Sequence, residues 1–122
     1  MTGEPFIPEK ITVHLGAPDD RSAMNVTVNF VDYIKNVGSS ELYPTWPESA
    51  LRANLYAIIS FALNRIYTEW YPSRGYDFDI TNDTRYDQYY VHGRDIFQPI
   101  SFYLNVSSTY CSVIYILKQF IS

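Results

Sequence analysis

Residues 11–15 (Ile-Thr-Val-His-Leu) alternate apolar and polar, the period-two signature of a strand with one buried face. The alternation returns over residues 25–30, and the stretch between them holds Gly16, Pro18, Asp19 and Asp20. Two such runs flanking a turn predict a β-hairpin. Val31, Ile34 and Val37 then recur at i, i+3, i+6, which predicts a short helix ended by Gly38, Ser39 and Ser40.

The longest periodic segment follows. Thr45 and Glu48 have the spacing of a capping box, with Thr45 as N-cap. Pro47 is compatible with a first helical turn, whose amides lack intrahelical partners. No Gly or Pro interrupts residues 48–70, and Leu51, Leu55, Ile58, Ile59, Ala62, Leu63 and Ile66 form one apolar face. A long amphipathic helix over about 46–70 is expected, stopped by Tyr71 and Pro72, with a turn at 73–75. Residues 77–81 alternate and predict a third strand; 82–86 are polar and predict a loop. Residues 89–91 suit a strand or a helix start, and Gly93 marks a break. Residues 94–122 contain apolar clusters at 102–106 and 113–120 without a clean period. The expected class is α+β: hairpin, short helix, one long helix, then mixed strand and helix, in one domain of 122 residues.

Composition narrows the function. Twelve Tyr, 7 Phe and 2 Trp supply rings with an apolar body and, in Tyr and Trp, a polar tip. Such rings suit carbohydrate grooves as well as half-buried structural positions. The net charge is −4 and the 9 Lys and Arg are scattered, so no nucleic-acid footprint is present. Cys111 is the only cysteine, which excludes an intrachain disulfide. His14, His92 and Cys111 share no metal-ligand spacing, and Asp79, Asp83 and Asp87 do not have EF-hand spacing. Neither metal nor cofactor is expected. Residues 1–10 lack the apolar core of a signal peptide, and the apolar run at 111–117 is too short for a membrane span. These features leave the compartment open.

One constellation carries chemistry. Asp32-Tyr33, Glu41, Pro44, Trp46-Pro47, Ala50-Leu51 and Ala53 fall in register with a segment typical of the SpoIID/LytB family of bacterial cell-wall proteins. Downstream, residues 79–84, Gln88 and Gly93 resemble the family's second block. The resemblance spans about residues 30–94. It implies action on peptidoglycan glycan strands in sporulation or cell-wall remodelling, by lytic transglycosylase chemistry or by enhancement of wall amidases. The family also implies the cell envelope or the spore as location. Under the resemblance Glu41 stands at the catalytic acid, with Tyr43, Trp46, Arg52 and Gln88 as substrate-binding residues. A glutamate can protonate a leaving glycosidic oxygen, and Tyr43 and Trp46 can stack on sugar rings.

The residues taken alone admit plainer readings. Glu41 reads as an exposed loop glutamate between two helices. Trp46 reads as a helix staple, Glu48 as a capping residue, and Arg52 as a solvated residue paired with Glu48 at i, i+4. A non-catalytic glycan-binding module, or a domain that binds another protein, fits these readings.

The chain also departs from the family pattern. Ile59 stands where the family often has Arg, and Ile80 and Tyr86 stand where some members have Cys and His metal ligands. The later GxSQxG-like motif is lacking, and residues 99–122 are off-pattern. These departures predict a partial domain interrupted near Gln98, with weak or no glycan cleavage by this chain alone.

Overall fold

A computed structural model describes residues 7–96; the expectations for residues 97–122 lie outside the described residues. The chain has an α+β fold. Strand β1 (Lys10–His14) is central in a three-stranded sheet of order β2-β1-β3. β2 (Asn25–Asn29) runs antiparallel to it, pairing Lys10 with Asn29 and His14 with Asn25. The short β3 (Ile80–Thr81) lies parallel to it, pairing Val13 with Ile80. Asp79 lengthens that edge by one rung: its amide donates to the Thr12 carbonyl (2.9 Å), and its carboxylate accepts the Thr12 amide (2.8 Å). Ile11 and Val13 point into the core, while the Thr12 hydroxyl meets that of Thr27 on the outer face. The expected hairpin and third strand are therefore present, the strand reduced to two residues.

Two helices cover the apolar sheet face. α1 (Phe30–Glu41) is capped by Asn29, whose side chain accepts the Asp32 amide. It runs straight through Gly38, Ser39 and Ser40, which were expected to end it. Gly38 and Ser39 are buried, and the Ser40 hydroxyl bonds back to the Asn36 carbonyl at 2.8 Å. Small side chains at a packed surface outweigh the low helix propensity of Gly and Ser. Glu41 is consequently the last residue of a helix and not part of a loop.

α2 is Glu48–Tyr67, shorter at both ends than expected. Its N-cap is Pro47, in an extended conformation and without a side-chain cap; the Thr45 capping box does not form. The carbonyl of Pro47 accepts the Leu51 amide, and Glu48 sits in the first turn, where the helix dipole favours an anion. Leu51, Leu55, Ile59 and Leu63 are fully buried against Tyr33, Ile34 and Ile80 in one continuous core.

The C-terminus of α2 closes in a Schellman motif. The Trp70 amide donates to the Arg65 carbonyl (3.2 Å) and the Glu69 amide to the Ile66 carbonyl (3.1 Å). Glu69 takes the left-handed conformation this motif needs, at φ 50°. The Arg65 guanidinium lies 4.4 Å from the centre of the Trp70 ring, supplying the side-chain contact that accompanies the motif. A 3-10 turn at Pro72–Arg74 follows and ends at Gly75, whose φ of 89° is one that a side chain disfavours.

Candidate functional site

Helix α1 projects a row of polar side chains onto residues 88–94. The Tyr33 hydroxyl donates to Oε1 of Gln88 at 3.0 Å. Asn36 bonds both main-chain groups of Val91: its Nδ2 donates to the carbonyl (2.7 Å), and its Oδ1 accepts the amide (2.9 Å). Glu41 Oε2 accepts the Tyr89 amide at 2.9 Å. Arg94 reaches back to the Ser40 hydroxyl at 3.1 Å. Residues 89–91 are neither strand nor helix. The Tyr89 and Val91 amides are bonded by side chains of a helix 48 and 55 positions earlier, and the Tyr90 amide by the Gln88 carbonyl.

This arrangement sets Glu41 at the edge of a shallow groove of about 280 Å³. The outward face of α2 contributes Asn54, Ala57, Ile58 and Phe61, and Asp87 and Gln88 complete the lining. Phe61 forms an aromatic wall, 36% exposed. Its ring is held by the Arg65 guanidinium, 4.7 Å from the ring centre. Ala57 is small and keeps the groove open between Phe61 and Asn54. Asn54 Nδ2 is occupied by the Ala50 carbonyl (2.8 Å), which leaves its oxygen to accept a hydroxyl.

Beneath the groove lies a buried charged network. The Asp87 side chain is 0% exposed and accepts four hydrogen bonds. They come from Arg65 Nε (2.8 Å), the Tyr71 hydroxyl (2.6 Å), and the Thr81 amide and hydroxyl (3.0 and 2.6 Å). Arg65 also donates to the Tyr86 carbonyl at 3.1 Å. A buried carboxylate is tolerated only when paired and fully hydrogen-bonded, and Asp87 meets both conditions. Burial, then the bond to Asp87, pushes the Tyr71 hydroxyl well above its ordinary range. Burial also raises Tyr33, and the negative fields of Asp87 and Glu41 add to that shift. The network holds residues 86–88 on α2 and so fixes the far bank of the groove.

The expected site residues separate in space. Glu41 and Gln88 share the groove. Gln88 is buried with its amide fully used: Oε1 by Tyr33, and Nε2 on the Ile58 carbonyl at 2.9 Å. It shapes the floor, and its polar atoms are committed to the protein. Tyr43 and Trp46 do not line the groove. Their rings pack on each other at a tilt (centroids 5.7 Å apart, 56° between planes) in the connection between the helices, 66% and 36% exposed. Arg52 also lies away from it, its guanidinium 3.8 Å from Glu48. Sequence reasoning did not single out Asn36, Asn54 or Phe61, and it weighed Asp87 only against an EF-hand pattern. Phe61 carried a readable signal: an aromatic residue on the polar side of an amphipathic helix, seven positions after Asn54.

Glu41 is exposed, one oxygen anchored by an amide. Its other oxygen makes no hydrogen bond among the described residues and is available to a ligand. The arrangement thus presents an oriented carboxyl group at the end of α1, beside an aromatic wall and a hydrogen-bond acceptor that lie about 10 Å apart along α2. Comparison with protein-family models, curated proteins and solved structures finds no match for this chain. No group of three or more His, Cys, Asp or Glu able to hold a metal occurs among the described residues. No helix among them is long and apolar enough to cross a membrane.

Proposed function

We propose that the chain is a SpoIID-like module acting on peptidoglycan glycan strands, with Glu41 as the acid that protonates the glycosidic oxygen. The reading is supported above all by one observation. The two sequence blocks that carry the resemblance, far apart in the chain, are joined by four side-chain bonds, and the one made by Glu41 lies at the edge of an open groove. A sugar ring against Phe61 would exclude water from the free Glu41 oxygen, the condition under which proton transfer is most effective. The family's chemistry then has a hydroxyl of the muramyl residue attack within the sugar, so no second carboxylate is needed. The buried Asp87, held by Arg65 and Tyr71, is structural under this reading.

The groove is shallow and open on one side, so it supplies little of the preorganisation that fast catalysis needs, and turnover is slow. The partners are glycan strands and, from the LytB side of the resemblance, cell-wall amidases; the setting is the cell envelope or the spore. The test is incubation of the purified chain with peptidoglycan and analysis for anhydro-ended fragments. Their release by the wild type and absence with Glu41→Gln supports the reading.

A second reading, non-catalytic glycan binding in the same groove, is favoured by the bond from the Tyr89 amide, which gives Glu41 a structural task. Glycan binding that survives Glu41→Gln, with no cleavage product from either protein, selects it.

A further inference from the structure

A second cavity, of about 200 Å³, shares no residue with the Glu41 groove. It lies where the end of β1, the turn between β1 and β2, and residues 76–78 converge. Its base is a stacked pair: the His14 ring lies 4.3 Å from that of Phe78, nearly parallel, and His14 is only 4% exposed. Tyr76, packed on both Tyr71 and Phe78, adds a wall, and Pro18 and Ala23 add apolar surface.

A hydrogen-bonded chain orients the polar groups. Asn25 Nδ2 donates to Asp77 Oδ1 at 3.0 Å, which turns Asn25 Oδ1 toward His14 Nδ1 at 2.6 Å. His14 Nε2 faces the Asp20 carbonyl at 2.9 Å. The Asp20 carboxylate is engaged by the amide and hydroxyl of Ser22, contacts that hold it below the usual carboxylate range. Asp77 is the open acid: one oxygen is fixed by Asn25 and the other makes no hydrogen bond among the described residues. Arg21, exposed on the rim, forms no ion pair with Asp77 or any other acid among the described residues. A cation and an anion thus line one small aromatic-based cavity without neutralising each other.

We propose that this cavity binds a small zwitterion: a free amino acid or a dipeptide. The ligand carboxylate pairs with Arg21, its ammonium with Asp77, and its side chain packs on Phe78 and Tyr76. The size fits, since a cavity of about 150 Å³ already accepts benzene. The charge pattern fits as well: Asp77 repels polyanions, and Arg21 offers a planar donor fork for a carboxylate. The proposal is independent of the Glu41 groove.

The test is a titration of the isotope-labelled full chain with alanine and with alanyl-alanine, followed by amide NMR. Saturable shifts at residues 14, 21 and 76–78 are expected. Arg21→Gln and Asp77→Asn each weaken binding by roughly tenfold, the value of one charge-assisted contact. An amidated dipeptide loses the Arg21 dependence, and an N-acetylated one loses the Asp77 dependence. The amide spectrum of each variant reports its fold, and Glu41→Gln binds like wild type. Absence of saturable shifts, or equal binding of the doubly capped peptide, overturns the proposal.

Discussion

The Glu41 carboxylate accepts the main-chain amide of Tyr89 at 2.9 Å, so the last residue of α1 holds the segment that forms the far bank of its own groove. Substitutions at Glu41 should divide accordingly. Glu41→Gln keeps an acceptor oxygen and preserves protection of the Tyr89 amide in hydrogen exchange. Glu41→Ala removes the acceptor, and that amide exchanges faster while the core remains protected.

Asn36 makes the stronger clamp, since both of its polar ends bond the main chain of Val91 and it is itself buried. Asn36→Leu leaves the half-buried Val91 amide without a partner, at about 1–3 kcal/mol, while the Val91 carbonyl keeps the Arg94 amide at 3.2 Å. Denaturant unfolding should register a loss of that order. Exchange at Val91 should rise more than exchange in β1.

Asp87 is the most sensitive position. Its removal leaves Arg65 without its ion pair and Tyr71 and Thr81 without an acceptor. Breaking a buried pair costs about 3–5 kcal/mol, so Asp87→Ala should lower the unfolding midpoint steeply. Glu48→Ala removes an exposed partner 3.8 Å from Arg52 and should change stability by less than about 1 kcal/mol.

Glu69 is the opposite case. It is a non-glycine residue in the left-handed region at a helix C-terminus, a conformation that costs about 1–2 kcal/mol for a side chain. Glu69→Gly relieves that strain while keeping both main-chain bonds of the Schellman motif. It should raise the thermal midpoint by calorimetry.

At high pH the buried hydroxyls decide stability. Tyr33, Tyr71 and Tyr90 are all shifted upward, each chiefly by burial. A hydroxyl whose pKa is raised by folding stabilises the native state fully below its unfolded value, near 10. That contribution is lost as pH climbs from there toward the folded value. Stability should therefore fall above about pH 10. Ionisation of these three tyrosines, followed by tyrosinate absorbance, should coincide with unfolding. Tyr71→Phe should lose part of this dependence.

The elements legible in the sequence were those with a local period. The hairpin and α2 each bury one face, and Ile11, Val13, Leu51, Leu55 and Ile59 display it as alternation or helical spacing. What was missed depended on contacts across the chain. Gly38 and Ser39 read as a helix stop, yet burial lets α1 continue, which turns Glu41 from a loop residue into a helix end. Residues 89–91 carry no pattern of their own, because Glu41 and Asn36 bond the Tyr89 and Val91 amides. Tyr43 and Trp46 stood beside Glu41 in sequence, but the chain leaves α1 in an extended turn and their rings pack on each other. The aromatic wall of the groove came from Phe61, twenty positions after Glu41.

The proposal rests on the Glu41 carboxyl as proton donor, and the rate of glycan-strand cleavage measures it most directly. Purified wild-type chain and Glu41→Gln, shown by their amide spectra to share one fold, are compared on the same peptidoglycan. The account predicts slow release of anhydro-ended fragments by the wild type and a loss of about a hundredfold or more in the variant, the usual worth of a general acid. Equal release by the two proteins, or none from either, would contradict it.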